Sequence, residues 1–187
     1  ENAELASAER VPYCQDTGLS VVFADVGQDV HFTGGSLESA INEGVRQGYR
    51  DGYLRGSVVN DPLRRKNTKD NTPAVIHYRV VPGDHFVLYF AAKGTGSENM
   101  SMARMLKPSD GREGILRTVV EHVFESGGNP CPPILLGIGL GGSIEKAAQI
   151  AKWSLFRPLG RPNPDLLVAD LEQDILKAVN RTGVGPM

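Results

Sequence analysis

The chain has 187 residues, 40% of them hydrophobic and 22% charged, with a formal net charge of −2. Such a length suits one globular domain, and the near-neutral balance excludes the basic footprint of a nucleic-acid or membrane-surface binder. The apolar stretches are short and broken by Gly or Pro, which predicts no membrane span and no signal peptide; two cysteines cannot make a secreted disulfide framework and favour a reducing cytoplasm.

Residues 1–10 read as the end of a helix. Ser20–Val26 and Asp29–Thr33 read as two short strands about a turn at Gly27-Gln28. Ser36 is a helix N-cap residue for a helix to about Gly52, whose Gly44, Gly48 and Gly52 form a smooth stripe suited to close packing by another element. Asp61–Thr72 is a charged loop. Pro73–Val81 and Phe86–Ala92 have the pattern of a β-hairpin across Pro82-Gly83-Asp84.

Lys93–Asn99 is a glycine loop leading to a short helix over Met100–Leu106. Gly111–Glu125 is amphipathic, with Ile115, Val119, Val120 and Val123 on the inward side. Ile134–Ile138 reads as a short buried strand. Gly141-Gly142-Ser143 opens a helix to about Phe156 with Ile144, Ala147, Ala148 and Ala151 inward, and Asn163-Pro164-Asp165 caps a last helix carrying Leu167, Leu171, Ile175 and Ala178. The expected fold is α/β or α+β, a small mixed sheet with helices packed around it. A chain that opens on Glu1 and closes on Gly183-Val184-Gly185-Pro186-Met187 reads as a single domain over 1–187, incomplete at its C-terminus.

The two cysteines carry the strongest chemical signal. Cys14 opens Cys14-Gln15-Asp16-Thr17-Gly18, and Cys131 lies in Asn129-Pro130-Cys131-Pro132-Pro133 ahead of Gly137-Ile138-Gly139-Leu140-Gly141-Gly142. Turn chemistry on both sides suits a thiolate on a fixed loop better than a core packer. Far-apart cysteines read as a buried pair, as unrelated thiols, or as two ligands of one centre. Zinc would call for close Cys pairs, whereas an iron–sulfur cluster can draw single thiolates from distant loops.

Lys93-Gly94-Thr95-Gly96-Ser97-Glu98-Asn99 reads either as an anion nest or as an ordinary glycine turn after a hairpin. It lacks the order of a phosphate-binding loop, and Gly137 to Gly142 lacks the downstream acid of a dinucleotide fingerprint. Arg55 could clamp a carboxylate through both guanidinium edges. Arg64, Arg65 and Lys66 read as a solvated basic face, and His31, His77, His85 and His122 as structural.

Taken together, Cys14-Gln15-Asp16-Thr17-Gly18, Leu54-Arg55-Gly56-Ser57-Val58-Val59-x-Asp61-Pro62-Leu63, Lys93-Gly94-Thr95-Gly96-Ser97-Glu98-Asn99-Met100-Ser101 and Cys131-Pro132-Pro133 with the following glycine run resemble the α subunit, or N-terminal domain, of class I iron–sulfur fumarate hydratases and the related L-tartrate dehydratases. The resemblance covers nearly the whole chain. It implies a hydro-lyase with an oxygen-sensitive 4Fe–4S cluster held by three cysteines. By resemblance Cys14 and Cys131 are two of those ligands, and the third belongs to a motif that this chain does not contain, which would leave the cluster labile or absent here. Gln15 and Asp16 approach the substrate as catalytic candidates; Arg55, Gly94, Thr95 and Gly96 bind it, the glycine segment through backbone N–H groups. The resemblance further implies a β subunit or domain that completes the site and supplies the base, and self-association into oligomers.

The expectation is reversible hydration of fumarate to malate by the complete enzyme, with tartrate dehydration as the alternative and the isolated chain inactive. A rival from another class is a non-catalytic anion-binding or thiol redox module. Neither nucleic acid nor membrane is an expected partner.

Overall fold

The computed structural model describes residues 2–11 and 14–185. They form a mixed α/β structure that divides into two compact units, Glu1–Thr95 and Gly96–Met187.

The first unit is organised by β1 (Leu19–Gly27), whose Val21, Val22, Phe23 and Ala24 are each no more than 2% exposed. Burial on both faces explains the unbroken apolar run, because a strand covered on one side only would alternate. The helix α1 (Asn2–Glu9) precedes it. The next helix, α2 (Leu37–Asp51), starts where Ser36 accepts the Ser39 N–H on its hydroxyl at 3.4 Å. Its Ile41, Val45 and Tyr49 recur every four residues and are buried, so one stripe of the helix faces the core.

Two further strands, β2 (Val75–Val81) and β3 (Phe86–Lys93), complete a three-stranded sheet in the order β2-β1-β3. Here the structure corrects the sequence reading. β2 and β3 do not form a hairpin, because β1 lies between them, parallel to β2 and antiparallel to β3. The Pro82-Gly83-Asp84 connection passes over the end of β1, where Gly83 and His85 carbonyls accept the N–H groups of Asp29 and Gly27 at 3.0 and 2.8 Å. Gly27 permits that passage, since a Cβ there would sit 2.4 Å from the Gly83 carbonyl oxygen. The Asp29 N–H, at the start of the expected Asp29–Thr33 strand, is taken up by this connection, and that strand does not form.

Gly44 and Gly48 of α2 face open space: among the described residues no atom outside the helix's own backbone lies within 4 Å of a Cβ added at either.

The second unit is helical. α3 (Thr95–Asn99) is a single turn at the junction of the units and takes the place of the expected Met100–Leu106 helix, which is irregular. A 3-10 turn at Pro108–Asp110 leads into α4 (Gly111–Ser126). Two more helices follow, α5 (Ile144–Ser154) and α6 (Leu166–Asn180), the last capped by Asp165, which accepts the Leu167 N–H at 2.9 Å. Arg112 of α4 donates to Asp170 and Asp174 of α6 at 2.8 and 2.6 Å, tying the two helices side by side. Leu171 and Ile175 form the buried seam of α6. The expected inward face of α5 is not buried within the chain: Ile144 is 59% exposed. Ile134–Ile138 has no regular structure and pairs with no strand among the described residues, and Leu135 and Leu136 are exposed.

Candidate functional site

In the first unit the Cys14–Gly18 segment is wound around its own polar side chains. The Asp16 N–H donates to Cys14 Sγ at 3.4 Å, and the thiol lies 3.7 Å from Gln15 Oε1. Asp16 folds back as an Asx turn, accepting the Gly18 N–H on Oδ1 at 3.0 Å. The Thr95 hydroxyl approaches both carboxylate oxygens, at 3.4 and 3.2 Å. Thr95 was expected to serve through its backbone; its side chain in addition braces Asp16.

Gly18 closes the turn with φ +57°, and a Cβ on it would lie 1.7 Å from the Lys93 carbonyl oxygen. Only glycine lets the loop cross the end of β3 at this height. Leu19 then pairs with Lys93, which places the Cys14 loop beside the Lys93-Gly94-Thr95 segment. Lys93 Nζ bonds the Gly94 carbonyl at 3.2 Å.

Arg55 belongs to a second loop, and its exposed guanidinium has no hydrogen-bond or ion-pair partner among the described residues. Its backbone is fixed all the same: the Thr17 hydroxyl donates to the Arg55 carbonyl at 3.0 Å. The Thr17 carbonyl in turn accepts the Tyr49 hydroxyl at 2.6 Å. Burial pushes the Tyr49 phenol above its ordinary pKa, so it stays a neutral donor. Two expected participants, Asp16 and Arg55, therefore stand on loops joined through Thr17.

Sequence reasoning missed what holds those loops. Asn71 was read as part of a charged loop, but it is fully buried. Its amide donates to the Gly18 carbonyl at 3.1 Å and its Oδ1 accepts the N–H groups of Ser57 and Val58 at 2.7 and 3.1 Å. The available signal was the run Asp70-Asn71-Thr72-Pro73, turn chemistry between a charged segment and a strand, which says nothing of burial.

In the second unit Cys131 is exposed and free, as Cys14 is in the first. It has φ +58°, and its N–H is held by the Gly128 carbonyl at 3.0 Å. The following Gly137 and Gly139 lie directly on α5: an added Cβ would meet the Ala151 and Ala147 carbonyl oxygens at 2.3 and 1.9 Å. Those two glycines serve close packing, in keeping with the rejected dinucleotide fingerprint. Gly96 stands in the one-turn helix α3, whose Glu98 is ion-paired with Lys152. The expected structural histidines behave as such where partners are seen. His77 stacks on Phe23 at 4.6 Å, and His122 Nε2 is 2.6 Å from the Met100 carbonyl.

An iron–sulfur cluster asks for thiolates on rigid, exposed loops. Cys14 and Cys131 fit in kind, each being free, exposed and backbone-anchored. They do not make a full donor set, and among the described residues no group of three or more His, Cys, Asp or Glu is placed to hold a metal ion. No helix among the described residues is long and apolar enough to cross a membrane.

The fumarate hydratase (Fumerase) family model matches residues 1–187. A Methanocaldococcus jannaschii protein named for the alpha subunit of L(+)-tartrate dehydratase is 39% identical over 193 residues, covering 100% of this chain and 67% of the relative. L(+)-tartrate dehydratase alpha subunits of Escherichia coli strains UTI89 and K12 are 31% and 30% identical over 189 residues, covering 100% of this chain and 62% of each relative. The chain thus spans about two thirds of the length of the curated relatives it matches.

Proposed function

This chain belongs to the fumarate hydratase (Fumerase) family of hydro-lyases, and from that premise we propose that it is the cluster-bearing part of an L-tartrate dehydratase α subunit, working with a β subunit in the cytoplasm. The names of its relatives support tartrate over the fumarate that the sequence motifs first suggested. Fumarate hydration is the second reading, supported by the family model itself. The observation that carries the proposal is the joining of the Cys14-Gln15-Asp16 loop to the Arg55 loop, which sets a carboxylate, an amide and a guanidinium on two loops braced against each other.

A 2-hydroxydicarboxylate loses hydroxide from one carbon and a proton from its neighbour. A 4Fe–4S cluster, ligated in part by Cys14 and Cys131, supplies Lewis-acid activation of the leaving hydroxyl when bound. Arg55 receives a substrate carboxylate in a two-pronged ion pair, both guanidinium edges being without a partner among the described residues. Gln15 offers an amide to the substrate beside the sulfur. Asp16, oriented by Thr95 and the Gly18 N–H, holds or moves a proton at the reacting end. The Gly94–Gly96 segment contributes backbone N–H groups to the second carboxylate. The β subunit supplies the remaining groups, including the base.

The test is an anaerobic turnover assay of the α–β enzyme, reconstituted with iron and sulfide and offered L-tartrate and fumarate side by side. Air-sensitive turnover of L-tartrate is expected. Turnover of fumarate alone would replace the substrate and keep the family. A metal-free protein whose two free thiols oxidise reversibly, with no turnover, would favour the redox module instead.

A further inference from the structure

We propose that Asn71 is a positioning residue of the hydro-lyase, the strut that fixes the distance between the Asp16 loop and the Arg55 loop; this rests on the functional reading above. Gly18, which it holds on one side, is two residues from Asp16, and Ser57, which it holds on the other, is two residues from Arg55. The group that would bind a substrate carboxylate and the group that would handle its proton thus share a single clamp.

The chemistry of the clamp demands a carboxamide. One side must donate to a carbonyl and the other must accept two N–H groups. A carboxylate of the same shape keeps the acceptor and turns the donor into an oxygen facing the Gly18 carbonyl. An apolar side chain leaves three backbone groups without their partner at a site sealed from water, where each unmade bond is costly. Asn71 also adopts φ +57°, a conformation asparagine tolerates better than most residues.

The strut is itself held from both sides. Asn67 donates to the Gly56 carbonyl at 3.0 Å, and the Thr68 N–H donates to the Val58 carbonyl at 3.0 Å. Asp70 accepts from the Thr72 N–H and hydroxyl and from Arg46 of α2 at 3.1, 2.8 and 3.0 Å. A side chain that merely filled space would need none of this. The arrangement sets the reach between the two loops, and a misplacement of about 1 Å in such a site costs up to about 100-fold in rate.

The experiment uses the reconstituted α–β enzyme with Asn71→Asp, Arg55→Ala, the double variant, and Val22→Ala as a control in the buried core of β1. Asn71→Asp is expected to load iron and sulfide normally and to lower kcat/KM for the dicarboxylate about 100-fold, through kcat as well as KM because the freed side is the Asp16 loop. In the double variant the losses should be less than additive, because the strut sets the spacing between the Asp16 and Arg55 loops. Full additivity, or kinetic constants within about twofold of the parent, would overturn the proposal.

If the parent enzyme turns over neither tartrate nor fumarate, the hydro-lyase reading fails, and hydrogen exchange judges the strut on its own. Asn71→Asp should then speed exchange in the 14–18 segment while Ser57 and Val58 stay protected, and Val22→Ala should not reproduce that split. Unchanged exchange at 14–18 would refute the strut.

Discussion

Gly18 shows how much a single residue decides here. Its positive φ and its 1.7 Å clearance problem with Lys93 leave no room for any side chain. Gly18→Ala is expected to destabilise the chain by about 2 kcal/mol or more, from backbone strain and a forced shift of the β3 end. Urea unfolding at neutral pH measures it, and a loss under about 0.5 kcal/mol would mean that the loop crosses β3 less closely than described. The Cys14-Gln15-Asp16-Thr17-Gly18 motif was legible from sequence as a turn bearing a thiol and a carboxylate. Unreadable were the partners brought from far along the chain: Thr95 on Asp16, Tyr49 on Thr17 and Asn71 on Gly18. A sequence displays turn chemistry locally, but burial of an asparagine is a tertiary fact.

At the scale of elements, α2 is tied to the Asn71 segment by Arg46, which pairs with Asp70. The Thr72 hydroxyl, then Arg46, then the Thr72 N–H hold the Asp70 carboxyl down at about 2. A carboxylate held below its ordinary value of about 4 stabilises the fold above that value, and the contribution fades as pH falls toward the folded value. Asp70→Asn should therefore be less stable than the parent at neutral pH, and the gap should close on acidification from about pH 5 to pH 2. Unfolding midpoints over that window test the point; a gap independent of pH would show that Asp70 acts by packing alone.

The helices α2 and α6 started at their expected caps, Ser36 and Asp165, but burial followed the spacing only in part: Val123, Leu171 and Ile175 are buried, whereas Leu167 is exposed and α4 buries Gly114 and Thr118 where Ile115 and Val119 were expected. Strand pairing did not follow. Pro82-Gly83-Asp84 has the composition of a hairpin turn, but pairing is decided by which strand has two faces to bury, and the apolar run of β1 takes the centre. The short apolar run Ile134–Ile138 misled for a related reason: hydrophobicity marks a need for cover, and a strand needs a ladder partner as well.

On the scale of the whole molecule, each unit bears one free, exposed cysteine, and the platform of Asp16, Gln15 and Arg55 lies in the first. The family was legible from four dispersed motifs because each encodes a backbone requirement together with a reactive group. The choice between tartrate and fumarate was not, since both are four-carbon dicarboxylates that one guanidinium receives alike. The central claim is that the Cys14 loop works as chemistry and not only as a ligand mount. Its most direct test is Asp16→Asn in the reconstituted α–β enzyme, with iron content, visible absorption and dicarboxylate turnover measured on one anaerobic sample. The account predicts an unchanged cluster with turnover down by about 100-fold or more; near-parental turnover with the cluster intact would contradict it.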